Sequence, residues 1–174
     1  QLADCLPTIR SRCQLIRCQP LAPGVLSQVL RAVEGIEPQL VEAVVRLAGG
    51  SASSAISLAA RWAQEERCVK RFAEDPPLAW VTQPLPETRE EVARFLDIML
   101  RWLRDLAVAA AAPPRRVAYA QHEAAVREQA SRMDLDRCVE TALELVTLRD
   151  SLEQFVSPRL VAALAREQWL TLSC

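Results

Sequence analysis

The residues best suited to chemistry lie in one short stretch, residues 6–14, which reads Leu-Pro-Thr-Ile-Arg-Ser-Arg-Cys-Gln. Pro7 and the polar residues after it interrupt helical periodicity, so we expect a loop or a short turn here. Arg10 and Arg12 stand at alternate positions in the stretch. A guanidinium group keeps its charge and donates several hydrogen bonds from a planar fork, which suits recognition of a phosphate. The alternative interpretation is a pair of solvated surface arginines.

Composition limits the kind of protein that carries this stretch. The chain has 174 residues, of which 51% are hydrophobic and 25% charged, with a net charge of −1. These values predict a soluble globular protein of one or two small domains, with no overall attraction to nucleic acid or to anionic membranes. The longest apolar run, Leu106 to Ala112, is too short to cross a bilayer. The first residue is Gln1, so we expect the sequence to be an excised fragment that lacks an N-terminal part.

The six cysteines do not have the spacing of a metal site. No two of them form a Cys-x2-Cys pair, and the single histidine is not close in sequence to any pair. The sequence has no signal-peptide pattern, so we expect reduced thiols and a cytoplasmic location.

The first half of the chain after residue 20 predicts three short helices. A brief strand at Leu15 and Ile16 is expected to end at Pro20, and helical apolar spacing follows from Pro23 and from Pro38. Gly49-Gly50 is expected to end the second helix, and Ser51 to cap the third. Residues 21–63 therefore predict a compact three-helix unit.

Residues 64–174 predict a larger helical bundle. After one helix, Asp75 to Pro86 holds four prolines and is expected to be an extended loop, in which Trp80 packs onto the domain. Thr88-x-x-Glu91 is a capping box at the start of a long helix. Further helices are expected from Arg115-Arg116, from Asp134 and from Ser157-Pro158. Trp102 on the long helix and Trp169 on the last one are candidate interface residues, and a lone His122 is expected to be an ordinary surface residue.

The stretch around Arg12 resembles the Ser-Arg-Cys motif of clamp-loader subunits of the AAA+ family, which load sliding clamps onto DNA. Its spelling, with Ser11, Arg12 and Cys13 after Thr-Ile-Arg, is most similar to the delta-prime subfamily of bacterial DNA polymerase III loaders. The resemblance implies that Arg12 is an arginine finger, which reaches in trans to ATP bound by a neighbouring subunit. It also implies partners: the gamma/tau and delta loader subunits directly, and the sliding clamp and primer-template DNA through the assembled loader.

The same resemblance assigns the rest of the chain. Residues 1–20 correspond to a remnant of the AAA+ domain, residues 21–63 to the helical lid and residues 64–174 to the collar through which subunits oligomerise. ATP-binding members carry a nucleotide-sensing arginine in the lid, and Ser53 stands at that position here. This departure implies a subunit that does not hydrolyse ATP itself and that needs no cofactor of its own.

Two other interpretations stay open. The chain could be the same region of the gamma/tau ATPase subunit, which would require a phosphate-binding loop upstream of Gln1. It could also be an all-helical scaffold or regulator that is only similar to the motif. A stand-alone enzyme is not expected, because the sequence shows no nucleophile–base pair, paired acids, glycine-rich phosphate loop or metal cluster.

Overall fold

The chain folds as an all-α protein. A computed structural model describes residues 6, 8, 12–14, 16, 18–111, 117–154 and 156–173. From Leu21 onward, these described residues form nine α-helices, which we number in chain order. They are α1 Pro23–Ala32, α2 Pro38–Leu47, α3 Ala52–Ala60, α4 Trp62–Glu74, α5 Ala79–Thr82, α6 Arg89–Ala111, α7 Glu123–Arg132, α8 Leu135–Ser151 and α9 Pro158–Ser173.

Local sequence signals account for most helix ends. Proline occupies the first turn of α1, α2 and α9, where its missing N–H has no helical partner to lose. Ser51 caps α3 by accepting a hydrogen bond from the N–H of Ser54 at 3.3 Å. Gly49 and Gly50 take positive φ angles of 57° and 82° after α2, as the sequence predicted. The capping box of α6 also forms, with Thr88 Oγ1 accepting from Glu91 N–H at 3.2 Å and Glu91 Oε2 from Thr88 N–H at 3.1 Å.

The apolar residues form two cores. The first is enclosed by α1, α2 and α3, and its buried members are Leu26, Leu30, Val41, Val44, Ala48, Ala55 and Leu58. The second is larger and lies around α6, against which α4, α7, α8 and α9 pack. Leu47 packs against both cores. The boundary that the sequence predicted, between residues 63 and 64, falls inside α4. This one helix contributes to both cores, since Trp62 at its start packs on the first core and Val69 lies in the second.

Aromatic rings fill the centre of the second core. Phe72 stacks on Trp80 with ring centroids 4.6 Å apart, and it meets Trp169 edge-on at 4.9 Å. Offset and edge-on pairs of this kind add to the burial of apolar area. The expectation that Trp80 packs onto the domain is confirmed, since it is 1% exposed.

Three local predictions were wrong. Within the described part of the chain there is no strand, and Ile16, expected in one, is exposed and irregular; Leu15 lies outside the described residues. The proline-rich segment contains the short helix α5, because its prolines flank this turn and leave the N–H groups of Ala79 and Trp80 free to bond backwards. The helix expected from Arg115-Arg116 is absent at residues 117–119, which are buried and irregular, and α7 starts only at Glu123; Arg115 and Arg116 lie outside the described residues.

Candidate functional site

The structure leaves Arg12 open to solvent. Arg12 lies in a turn, Cys13 follows as an exposed free thiol, and Ser11 lies outside the described residues. No hydrogen bond or ion pair joins the Arg12 guanidinium to any described residue, in contrast to most arginines of the helical bundle. Its charge is therefore not balanced by any residue that the structure describes.

The segment after Arg12 is fixed to the three-helix unit at one point. The backbone N–H of Leu21 donates to the carbonyl oxygen of Gly50 at 2.9 Å. A Cβ at Gly50 would lie 2.6 Å from Pro20 Cβ, so only glycine allows this close approach. The turn after α2 therefore sets the position from which the N-terminal stretch leaves the bundle.

Ser53 lies in the first turn of α3 with its side chain exposed. Its hydroxyl is 3.2 Å from Ser51 Oγ, so it belongs to the capping region of the helix. A serine hydroxyl has no charge with which to neutralise a phosphate. Whether this is the position of a lost nucleotide sensor stays a prediction, because the resemblance alone assigned it.

Ser53 also stands at one end of a groove of about 1030 Å³. Helices α3 and α4 form one wall, and α6 with the segment 84–88 forms the other. This groove could not be predicted from the sequence, because its walls come from elements far apart in the chain. Five arginines contribute to its lining: Arg61, Arg67, Arg71, Arg94 and Arg101.

The two tryptophans named as interface candidates are not on the surface. Trp102 is fully buried and donates from Nε1 to Gln129 Oε1 at 3.1 Å, while Trp169 is 5% exposed among the aromatic rings of the second core. The expected interface role is therefore wrong for the folded chain. Trp102 lies beside the main apolar face of α6, and α7 covers it there. The apolar spacing within α6 could not predict that α7 is its neighbour.

Exposed apolar side chains occur instead on α8. Val139, Leu143 and Val146 follow one another by four and three residues, so they lie on one face of the helix. They are 45%, 64% and 44% exposed, although α8 also buries Cys138 and Leu145 on its opposite side. The sequence indicated this surplus, since α8 has apolar residues on more than one face. We call these three residues the α8 stripe.

A buried polar junction holds the elements beside the groove together. Glu65 Oε1 accepts a hydrogen bond from Tyr119 Oη at 2.6 Å and forms an ion pair with Arg101. Nearby, the carboxylate of Asp105 accepts from the N–H groups of Ala118 and Tyr119, both at 2.9 Å. The sequence did not point to this junction, because Glu65 and Asp105 look like the polar positions of ordinary amphipathic helices.

The junction shifts the ionisation of its members. Burial and the adjacent Glu65 carboxylate raise the pKa of Tyr119 well above its ordinary value. For Arg101, burial is the largest single influence and opposes the charged form, but Glu65, Tyr119 and Asp97 together outweigh it, so the pKa of the guanidinium is raised. Tyr119 therefore stays a neutral hydrogen-bond donor and Arg101 a cation, so the junction is structural.

His122 is not the plain surface residue that the sequence predicted. Its side chain is 13% exposed, and Nε2 lies 3.0 Å from Glu66 Oε1. The imidazole also meets the Trp102 ring edge-on at 6.3 Å. No nucleophile approaches it among the described contacts, so it serves packing between α4 and the turn before α7.

No protein-family model, curated protein or solved structure matches the chain. Among the described residues, no group of three or more potential metal-binding side chains occurs, and no helix is long and apolar enough to cross a membrane.

Proposed function

We propose that the chain is the lid-and-collar part of a delta-prime-type clamp-loader subunit of bacterial DNA polymerase III. The observation that carries this proposal is Arg12, which stands exposed and without an ion-pair partner among the described residues, next to Cys13 in the Ser-Arg-Cys stretch. As phosphoryl transfer proceeds, negative charge shifts toward groups that a guanidinium can hold. Arg12 would act on ATP bound by a neighbouring subunit in the cytoplasmic loader, and this chain would not hydrolyse ATP itself.

The three-helix unit supports the proposal that this chain does not hydrolyse ATP itself. Ser53 offers only a neutral hydroxyl at the first turn of α3, where the ATP-binding members carry an arginine. The next arginine after Ser53 along the chain, Arg61, lies beyond the end of α3 and lines the groove. The unit is thus a lid by helix number and order, without the cation that senses nucleotide in the hydrolysing subunits.

The α8 stripe supports an assembly role for the larger bundle. Contiguous exposed apolar side chains usually mark contact sites for other proteins. Leu143 at the centre of the stripe is 64% exposed, which water disfavours unless another surface covers it in the assembled state. We assign the stripe to contact with the collar helices of the gamma/tau or delta subunits, in place of the two buried tryptophans.

Two alternatives make different predictions. A gamma/tau-type subunit would bind ATP through a phosphate-binding loop in the sequence preceding Gln1. A scaffold or regulator would have no ATPase-fold sequence there, and Arg12 would have no effect on any ATPase. Reading the upstream sequence separates all three interpretations.

The functional test is the replacement of Arg12 in the full-length subunit. We expect Arg12→Ala to leave the subunit folded and assembled, because an exposed turn residue contributes little to a core. It should strongly reduce DNA- and clamp-stimulated ATP hydrolysis by the reconstituted loader. The loss should be below the about 10³–10⁵-fold seen when a finger arginine serves a single GTPase site, because several sites share the work. Arg12→Lys should rescue only in part, since a point charge lacks the fork.

The matched control is Arg31→Ala, which removes an exposed arginine on α1 that forms no ion pair with a residue the structure describes. It should leave ATP hydrolysis unchanged. Wild-type hydrolysis by loaders that contain Arg12→Ala would remove the finger role and leave Arg12 as a solvated surface residue.

A further inference from the structure

We propose that the groove between the lid helices and α6 binds the phosphate backbone of single-stranded DNA. The choice of DNA as the ligand rests on the proposed function, whereas the anion site itself rests on the charges described here. The groove has one wall from α3 and α4 and another from α6 and residues 84–88. Its lining combines arginines with the hydroxyls of Ser53, Ser54 and Ser57, which can donate to phosphate oxygens.

Two of the acidic residues in the lining are already neutralised. Glu65 is held by Arg101 and by the Tyr119 hydroxyl, and it is 8% exposed. Asp97 forms an ion pair with Arg149 of α8, with Oδ1 3.2 Å from Nε. Neither carboxylate is therefore free to repel an anion in the groove.

The other two acidic residues are also occupied. Glu87 pairs with Arg159 of α9 at 2.8 Å. Glu91 accepts the backbone N–H of Thr88 in the capping box, and these hydrogen bonds, more than any charge, lower the pKa of its carboxyl. All four carboxylates of the lining are thus engaged with groups of the chain itself.

The arginines are not balanced in the same way. Arg101 pairs with Glu65, and Arg71 lies 3.7 Å from Asp75 and over the ring of Trp80. The three that remain, Arg61, Arg67 and Arg94, form no ion pair within 4.0 Å with any described residue. Of these, Arg94 feels the charge of Glu91 from a greater distance.

A chain with a net charge of −1 thus concentrates in one groove three guanidinium groups that form no ion pair with a described residue. Such a groove attracts an anion with several charges spaced along it, and each guanidinium can grip a phosphate with two parallel hydrogen bonds. The aromatic residue in the lining is Phe95, which is only 8% exposed, so the groove offers no platform on which a base could stack. Contact through phosphates alone predicts binding without sequence preference.

The test is fluorescence anisotropy of a labelled oligothymidine with the purified chain, at salt concentrations from 20 to about 200 mM. Three phosphate contacts predict a slope of log K against log salt of about −2, since each contact on a single strand contributes about −0.7. Arg61→Ala, Arg67→Ala and Arg94→Ala should each weaken binding and make the slope shallower by about 0.7. The triple variant should lose binding at every salt concentration.

Two control variants keep the result specific. Arg31→Ala on α1 and Arg137→Ala on α8 remove exposed arginines that do not line the groove, and they should bind as the wild type does. Arg12→Ala should also bind normally, so failure of the ATPase test and failure of this one are distinguishable. Circular dichroism melts check that each variant is folded.

Three results would overturn the proposal. One is a wild-type chain that does not bind the oligonucleotide at the lowest salt concentration. Another is equal loss in the groove variants and the two controls, which would indicate only diffuse attraction. The third is binding of tripolyphosphate without binding of the oligonucleotide, which would exclude nucleic acid as the ligand.

Discussion

Tyr119 donates its phenolic hydrogen to Glu65 Oε1 at 2.6 Å, joining residues 54 positions apart in the chain. The bond ties the loop before α7 to α4, and Arg101 of α6 completes the link by pairing with the same carboxylate. Three elements of the second core are therefore held by one buried oxygen atom.

Tyr119→Phe should lower the free energy of unfolding by about 1.5–3 kcal/mol, the range for a hydrogen bond to a charged group. The phenyl ring keeps its packing, so the loss comes from the hydroxyl. Urea denaturation of the wild type and the variant measures it. A change below about 0.5 kcal/mol, typical of a surface substitution, would contradict the role of this bond.

The chain has a single tyrosine, so ultraviolet absorbance titration reports Tyr119 alone. Its pKa is raised in the folded state, so its contribution to stability is complete below the ordinary phenol value of about 10 and is lost as the pH rises above it. We expect no phenolate signal until the protein unfolds in alkali. Reversible titration near pH 10 in the folded state would contradict the buried bond.

Three of the four glycines form a graded series. Gly50→Ala should destabilise most, because it combines a φ of 82° with a Cβ 2.6 Å from Pro20. Gly49→Ala, at a φ of 57° in open space, should cost only the strain of about 1–2 kcal/mol. Gly24→Ala in α1 meets nothing within 4 Å and should stabilise by up to about 1 kcal/mol. Thermal melts that rank the three differently would show that the Leu21–Gly50 contact is not formed.

Exposed cysteines should react faster than those that the fold covers. Burial raises the pKa of the Cys68 thiol to about 12 and that of Cys138 to about 11, so neither forms much thiolate at pH 8. Cys13 and Cys18 are exposed. Iodoacetamide at pH 8, followed by peptide mass spectrometry, should label the exposed pair first, and half-buried Cys68 and buried Cys138 only after denaturation. Early labelling of Cys138 would mean that α8 opens readily from α6.

The α8 stripe gives the last of these predictions. Leu143→Glu should change the free energy of unfolding by less than about 0.5 kcal/mol, because the side chain is 64% exposed. Under the proposed function, it should nevertheless weaken co-purification with the gamma/tau and delta subunits of the loader. Leu78→Glu is the matched control, since Leu78 in the proline-rich segment is 82% exposed, does not belong to the α8 stripe and should not affect assembly. Equal assembly by both variants would remove the stripe from the interface.

Signals that act within a few residues could be predicted from the sequence. The Ser51 cap, the Gly49-Gly50 turn and the Thr88–Glu91 box all formed, because each depends on hydrogen bonds or φ angles between near neighbours. The all-helical class followed from the same local rules together with apolar spacing.

Features made by distant elements could not be predicted in this way. Trp102 looked like a surface residue because its position on α6 lies beside the main stripe, and nothing in the sequence placed α7 over it. Glu65 looked like a solvated helix residue until Tyr119 and Arg101 converged on it. The groove between the lid helices and α6 also depends on distant elements. Its charge balance is set by Arg149 of α8 and Arg159 of α9, which pair with acidic residues of its lining.

The shared residue Leu47 has a consequence for how the molecule melts. The first core draws on little more than 40 residues, from Leu21 to Trp62, a size at which a chain rarely folds alone. Leu47 packs on both cores, α4 runs through both, and Arg46 Nε donates to the Ala118 carbonyl at 3.3 Å. We therefore expect the small unit to depend on the large one for its stability, and the two to unfold in one cooperative transition.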